Sequence, residues 1–133
     1  MKIFITPQKK QRFTTVGHWE GDTIDKVTFW ASDMSDWRFM VAVLFHELIE
    51  WSWCVSHGIT TDHCDAFDEL FEEEYKAGRS KEDEAGYDKR CPYRKGHVWG
   101  GRFERVVIWI LGARWKDYVN ECNNLMIIGG GDG

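Results

Sequence analysis

The sequence HELIE at residues 46–50 places three ionisable side chains inside an otherwise apolar segment. His46 and Glu50 are four residues apart, so in a helix they lie one above the other on the same face, with Glu47 beside them. Ionisable groups are costly to bury unless they are paired or bind a metal. This spacing is typical of a metal-binding helix, with two ligands one turn apart and a carboxylate next to the first.

Glu47 is the candidate catalytic residue. In HExxH metallopeptidases the glutamate that follows the first histidine accepts a proton from a water molecule activated by the metal. The second histidine of that motif is Glu50 here, so the motif reads HExxE. A carboxylate also binds zinc, but it shifts the preference of the site toward manganese, iron or magnesium. We therefore expect a divalent metal ion, with zinc first and manganese or iron as alternatives.

A hydrolytic metal site needs a third protein ligand and one open position. The best candidate is His97, at the start of a predicted helix in which Gly101 and Glu104 share its face. Gly100 and Gly101 carry no side chain, so another helix can approach closely there. We expect this helix to pack against the first one, with His97 a metal ligand and Glu104 a further ligand or a support. Alternatively, His97 lies in solvent and Glu104 pairs with a neighbouring arginine.

Asp65 and Asp68 are a second pair of candidates, three residues apart near the start of another predicted helix. They could add a ligand or orient His46 or His97 through a hydrogen bond. Their alternative role is a favourable interaction with the helix dipole, which attracts acidic side chains to a helix N-terminus.

Two alternatives to this metal centre remain. The polar residues of the first helix could form a buried hydrogen-bonding network without a metal. A structural zinc site could instead use Cys54, His57, His63 and Cys64, although adjacent residues 63 and 64 are poorly placed for tetrahedral geometry. Cys54 as a nucleophile is disfavoured because an apolar environment raises the pKa of a thiol.

The predicted elements place strands before helices, which indicates the α+β class with a small antiparallel sheet at the N-terminus. Alternating β-rich segments predict strands at 2–6, 12–20 and 26–31, within a β-rich N-terminal region that spans residues 1–35. Capping residues and apolar periodicity predict helices at 36–56, 62–76, 94–111 and 114–123, within a helical region that spans residues 36–124. A charged loop is expected at 78–90. The tail 125–133 begins with a strand or contact segment and ends in glycines.

Composition limits the class of protein. The chain of 133 residues is expected to form one domain, and its net charge of −5 argues against a nucleic-acid partner. The N-terminus lacks the apolar region of a secretory signal, and no apolar run reaches membrane-spanning length, so we expect a cytoplasmic protein without a membrane partner. Four cysteines without a CxxC pair indicate free thiols in a reducing compartment.

The combination of motifs resembles a family of small uncharacterised phage and prophage proteins. The similar segments span about residues 36–107: HELIEWSWC at 46–54, Gly58-Ile59, DAFD at 65–68, Pro92-Tyr93 with His97, and Glu104-Arg105. The chain departs from that family at Cys91, where a small residue is usual, and in its highly charged loop. The resemblance implies a phage origin and a shared polar site formed by His46, Glu47, Glu50, Asp65, Asp68, His97 and Glu104. It implies no substrate.

The first functional hypothesis is therefore a zincin-like metal-dependent hydrolase, with a peptide or a host protein as its substrate. The second is a phage accessory or counter-defence protein without enzymatic activity, which binds a host protein and uses the His/Glu cluster structurally. A third, an all-helical nucleotide pyrophosphohydrolase with magnesium, is disfavoured because Mg²⁺ prefers oxygen ligands to histidine. An open site with a free coordination position would favour the enzyme, and a closed, fully ligated site would favour the binding protein.

Overall fold

The computed structural model describes the backbone of residues 1–131 and the side chains of residues 1–127. The strands are β1 (Lys2–Thr6), β2 (Gly17–Glu20) and β3 (Thr28–Ser32). The helices are α1 (Trp37–Ser56), α2 (Thr61–Lys76), α3 (Arg94–Ile110) and α4 (Trp115–Gly131). Two short 3-10 turns lie in the connections, at Gln8–Lys10 and Ala85–Tyr87. The predicted α+β class is confirmed.

The sheet is mixed, so the prediction of an antiparallel sheet is wrong for one strand. Its order is β1-β3-β2, with β2 antiparallel and β1 parallel to β3. Residues 7–16 separate β1 from β2 with a connection that contains its own 3-10 turn. Because no tight hairpin joins these two strands, β3 can insert between them.

The second strand is shorter than predicted because side chains replace its pairing before Gly17. Gln8 donates from Nε2 to the backbone oxygen of Thr15 at 2.9 Å, and Gln11 donates to that of Val16 at 3.2 Å. The backbone oxygen of Thr15 is satisfied without a neighbouring strand, whereas that of Val16 also accepts the backbone N–H of Ser32 in β3 at 2.8 Å. The predicted strand 12–20 therefore reduces to Gly17–Glu20.

Helix α1 is the central helix, packed between the sheet and α3. The side chain of Asp36 caps its N-terminus by accepting a hydrogen bond from the backbone N–H of Arg38, and Gly58 follows its C-terminus with a φ of 70°. By length and composition α1 could cross a membrane, yet 44% of its most apolar 18-residue window is buried inside the protein. Residues of α1 belong to both apolar core clusters of the described part of the chain.

Helix α4 is longer than predicted. The expected strand or contact segment after residue 124 continues the helix as far as Gly131, because Leu125 and Met126 pack on a core cluster that includes Phe39, Ile108 and Tyr118. Tertiary packing of an apolar face thus outweighs the low helix propensity of the glycines that follow. The end of the predicted tail, residues 132 and 133, lies outside the described residues.

Candidate metal centre

Helices α1 and α3 bring the three predicted ligands together. His46 and Glu50 lie one turn apart on the buried face of α1, and His97 lies in the first turn of α3. The helices approach closely at two glycines. A Cβ at Gly100 would lie 2.9 Å from the backbone oxygen of His46, and one at Gly96 would lie 3.2 Å from that of Glu50. Side chains at these positions would separate the helices and the ligands that they carry.

The donor atoms of these three residues converge. His46 Nε2 lies 3.2 Å from Glu50 Oε2 and 3.0 Å from His97 Nδ1, which is itself 3.0 Å from the same carboxylate oxygen. Ligands around a tetrahedral zinc ion are separated by roughly 3.3 Å. The group can therefore hold a metal ion. Within the described part of the chain, it is the one group of three or more potential ligands that lie this close together.

Each imidazole contacts a second carboxylate through the ring nitrogen that faces away from Glu50. His46 Nδ1 lies 2.7 Å from Glu104 Oε1, and His97 Nε2 lies 3.2 Å from Glu84 Oε2. An ionised carboxylate only accepts hydrogen bonds, so each imidazole can direct an N–H at this second carboxylate and turn its other nitrogen toward Glu50. This arrangement is typical of metal-ligating histidines, whose orientation and basicity are set by such a partner.

The orientation leaves three lone pairs pointing at one another. When both imidazoles are neutral and direct their N–H groups at Glu104 and Glu84, their unprotonated nitrogens face each other and Glu50. Three acceptors in contact repel one another unless a positive charge lies between them. The centre is therefore built to hold a cation, either extra protons or a metal ion.

The electrostatic environment favours positive charge at this centre. Burial alone would lower the pKa of His46, but its hydrogen bonds to Glu104 and Glu50 outweigh burial and raise that pKa well above its usual value. For His97, the hydrogen bonds to Glu50 and Glu84 outweigh burial and raise the pKa to about 9. The histidines in turn lower the pKa of Glu50 against the effect of burial, which keeps this carboxylate ionised.

Glu47 lies beside the ligands but takes no part in their hydrogen bonds. Its side chain packs against Gly17 of β2, where a Cβ would lie 2.5 Å from Glu47 Oε1. The residue is only 8% exposed, and no hydrogen bond to its carboxyl group is found among the described residues. Burial and then the charge of Glu50 raise the pKa of Glu47. Glu47 lines the cavity, and Asp65 Oδ1, not a Glu47 oxygen, is the fully buried side-chain oxygen without a partner among the described residues, so the Glu47 carboxyl group is open to a molecule in the cavity.

A cavity of approximately 500 Å³ opens onto these groups. Its walls come from β2, all four helices and the connection before α3. Both polar and apolar side chains line it, among them Val43, Glu47, Val98, Arg102, Trp115 and Tyr118. The volume is that of a small-molecule or peptide side-chain site.

Three contacts of the centre were not predicted from the sequence. Glu84 comes from the charged loop, where nothing in the local pattern distinguishes it from its acidic neighbours. Tyr118 of α4 donates its hydroxyl proton to Glu104 Oε2, and Trp19 of β2 donates from Nε1 to Glu50 Oε1 at 3.1 Å. In a chain this rich in aromatic residues, no sequence pattern distinguishes these two from rings that only fill the core.

Asp65 and Asp68 line the same cavity but do not contact the histidines. Asp65 Oδ2 accepts a hydrogen bond from Arg12 at 2.7 Å, and Asp68 Oδ1 accepts one from the Tyr93 hydroxyl at 2.5 Å. The expectation that these aspartates orient His46 or His97 is therefore wrong. Each faces a donor from another segment: Arg12 lies in the connection before β2, and Tyr93 is the N-cap residue of α3.

The cysteines do not form the alternative zinc site. All four are free and buried, at positions 54, 64, 91 and 122. His57 and His63 are both exposed, and the ring of His57 stacks on Trp53 with centroids 4.1 Å apart. Cys54 and Cys64 instead lie in the apolar core cluster.

Comparison with known proteins gives no match: no protein-family model, no curated protein and no solved structure is similar to the chain.

Proposed function

We propose that the chain is a metal-dependent hydrolase that acts on peptide bonds, of the zincin-like type suggested by the HExxE helix. One observation carries the proposal. Two carboxylate-held imidazoles and Glu50 direct three lone pairs at one point, beside a buried Glu47 that has no partner among the described residues. The ligands and a separate proton acceptor are the two components that such a hydrolase requires.

The donor set favours zinc. Two histidines and one glutamate are a ligand set that catalytic zinc sites use, with the fourth position open to water or substrate. Manganese and iron accept the same ligands and are the alternatives. Bound there, the metal would polarise the scissile carbonyl and make a water molecule more acidic.

The protein's own residues supply the remaining chemistry. His46, Glu50 and His97 hold the cation, while Glu104 and Glu84 fix the rings so that their lone pairs stay directed inward. Glu47 takes the proton of the attacking water and passes it to the leaving amine. Burial and the charge of Glu50 raise the pKa of Glu47, and a cation held by His46, Glu50 and His97 would act in the opposite direction and favour the ionised carboxylate that accepts the proton.

A peptide substrate is supported by the position of β2. This strand is at the edge of the sheet, and Gly17, His18 and Trp19 line the cavity. Gly17 and Trp19 are buried, and the Gly17 backbone oxygen accepts a hydrogen bond from Thr15 Oγ1 at 2.7 Å, so a peptide would meet this strand from the cavity and not along a free edge. The cavity then receives a side chain next to the metal ligands.

The alternative, a phage accessory or counter-defence protein that binds a host protein, is supported by a different observation. Apolar side chains lie exposed on α3, including Trp99, Phe103, Val106 and Trp109, the last of them 79% exposed. Exposed apolar surface of this kind is frequent at protein interfaces. In this alternative the His/Glu cluster would stabilise the fold.

Two variants and a metal analysis test the proposal. The wild-type protein, purified without chelator, is expected to hold about one equivalent of zinc, manganese or iron, and His46→Ala is expected to lose it. Glu47→Gln is expected to keep the metal but to lose cleavage of a peptide library, because its amide cannot accept the proton. Turnover retained in Glu47→Gln, or a wild-type protein that takes up no metal after reloading, would rule out this mechanism.

A further inference from the structure

A second cavity of approximately 510 Å³ adjoins the candidate metal centre. The two cavities share Asp68, Glu84 and Tyr87 as wall residues. Glu84 also lies 3.2 Å from His97 Nε2, so the second cavity begins next to a metal-binding imidazole. A molecule whose scissile bond lies at the metal can therefore place a neighbouring side chain in this cavity.

The second cavity is acidic. Its wall includes five carboxylates, and none of the described residues that line it is a lysine or an arginine; the carboxylates are Asp68, Glu72, Glu82, Asp83 and Glu84. Arg12 pairs with Glu20, Asp65 and Glu69 while its guanidinium lies 5.1 Å from the centroid of the Phe13 ring, and Arg90 pairs with Glu74 and Asp88. None of the ion pairs found among the described residues involves Glu82 or Asp83, so a cation from outside can pair with these two.

Two of the five carboxylates are available for such a cation. Glu72 is occupied by hydrogen bonds from the backbone and side chain of Thr14, at 2.8 and 3.1 Å. Asp68 is bonded to Tyr93 and Glu84 to His97. The side chains of Glu82 and Asp83 are exposed, and no hydrogen bond to either carboxylate is found among the described residues.

Aromatic rings form much of the rest of the wall. They belong to Phe13, Phe71, Tyr75 and Tyr87, and Phe71 stacks on Tyr75 with ring centroids 6.1 Å apart. The face of an aromatic ring attracts an ammonium or guanidinium group, and its apolar surface packs against an alkyl chain. Carboxylates and aromatic rings together suit a cation at the end of an alkyl stem better than a metal ion or a neutral side chain.

We propose that the second cavity binds a lysine or arginine side chain of the peptide substrate, and so selects substrates with a basic residue beside the scissile bond. This inference rests on the proposed peptidase function of the adjoining metal centre. The alkyl stem would lie against the aromatic rings, and the ammonium or guanidinium group would face Glu82 and Asp83.

Binding of two matched peptides tests the proposal without requiring turnover. The probes are a blocked alanine-arginine-alanine tripeptide and its citrulline counterpart, which has nearly the same shape but no charge. Calorimetry on the full chain is expected to show about tenfold tighter binding of the arginine peptide. The Glu82→Gln/Asp83→Asn double variant is expected to reduce this preference to about threefold or less.

A second double variant controls for net charge. Asp62→Asn/Glu73→Gln removes the same charge from exposed positions of α2 outside the cavity and is expected to leave the preference unchanged. Equal binding of the two peptides, no binding at millimolar concentration, or an equal loss in both double variants would overturn the proposal. Metal content is measured in the same samples. An intact arginine preference in a protein that binds no metal supports the cavity's role and counts only against the hydrolase.

Discussion

His46 Nδ1 lies 2.7 Å from Glu104 Oε1, across the interface between α1 and α3. The contact fixes the orientation of the His46 ring, because a hydrogen bond from Nδ1 to Glu104 turns Nε2 toward Glu50 and His97. Glu104 is held in turn by the hydroxyl of Tyr118, which is only 2% exposed. Three helices thus cooperate to orient one imidazole.

Replacing Glu104 is therefore expected to weaken metal binding without removing a ligand. Glu104→Gln keeps the size of the side chain but loses the charge that makes His46 more basic. Affinity for zinc is expected to fall by about 10–100-fold, the usual effect of removing such a supporting carboxylate. Competition with a chromophoric chelator measures it, and Glu73→Gln, which changes an exposed glutamate of α2, is the control. An affinity equal to that of the wild type would mean that Glu104 does not orient His46.

A substitution at Gly86 tests the role of the His97 imidazole independently of His46. A Cβ at Gly86 would overlap Cγ of His97, so an added methyl group there forces one of the two residues to move. In Gly86→Ala either the His97 ring turns away from Glu50, or the loop that carries Glu84 and residue 86 moves away from His97. Either movement removes one of the two carboxylate contacts of the His97 ring. We expect weaker zinc binding, measured by the same competition, together with a free energy of unfolding lower by about 1–3 kcal/mol, because the ring that must move is largely buried. If Gly86→Ala bound zinc as tightly as the wild type, the contact would have no role in the site.

The helices of the fold could be predicted because each signal for them is local. Asp36 caps α1 as expected, and Gly58 adopts the positive φ that ends it. The spacing of His46 and Glu50 fixes their common face once α1 exists. Gly100 could be predicted as a point of close approach, although only the structure shows which residue of α1 fills that space.

Other features depend on contacts between distant segments. Glu84 reaches His97 only because the loop before α3 folds back over that helix, and no periodicity marks it among the acidic residues around it. The parallel pairing of β1 with β3 depends on how residues 7–16 cross the sheet. Asp65 and Asp68 have the right spacing for a site, but the partners that decide their role, Arg12 and Tyr93, come from elsewhere in the chain.

The two adjacent glycines of α3 are expected to respond oppositely to alanine. A Cβ at Gly100 would lie 2.9 Å from a backbone oxygen of α1, whereas one at Gly101 would meet only the Tyr87 hydroxyl at 3.9 Å. Gly100→Ala is expected to lower the free energy of unfolding by about 1–3 kcal/mol because it forces the helices apart. Gly101→Ala is expected to raise it by about 0.5–1 kcal/mol through helix propensity. Urea denaturation measures both, and destabilisation of similar size in both variants would contradict the close approach.

Asp68 is expected to make stability depend on pH. Burial, partly offset by the hydrogen bond from Tyr93, raises the pKa of Asp68 to about 7, whereas an unfolded aspartate has a pKa of about 3.9. Between these values the folded protein holds a proton that the unfolded chain has released. The contribution of this group to stability is therefore complete below about pH 4 and is lost as the pH rises to about 7.

Asp68→Asn removes this titration and keeps an oxygen that can accept the Tyr93 hydroxyl proton. The difference in unfolding free energy, variant minus wild type, is expected to become more positive by about 2–4 kcal/mol between about pH 4 and pH 8. Other titrating groups are common to both proteins and cancel in the difference. Urea denaturation across this range, with Asp62→Asn as an exposed control, measures it. A difference that stays constant with pH would show that Asp68 is ionised throughout, as a well-solvated carboxylate would be.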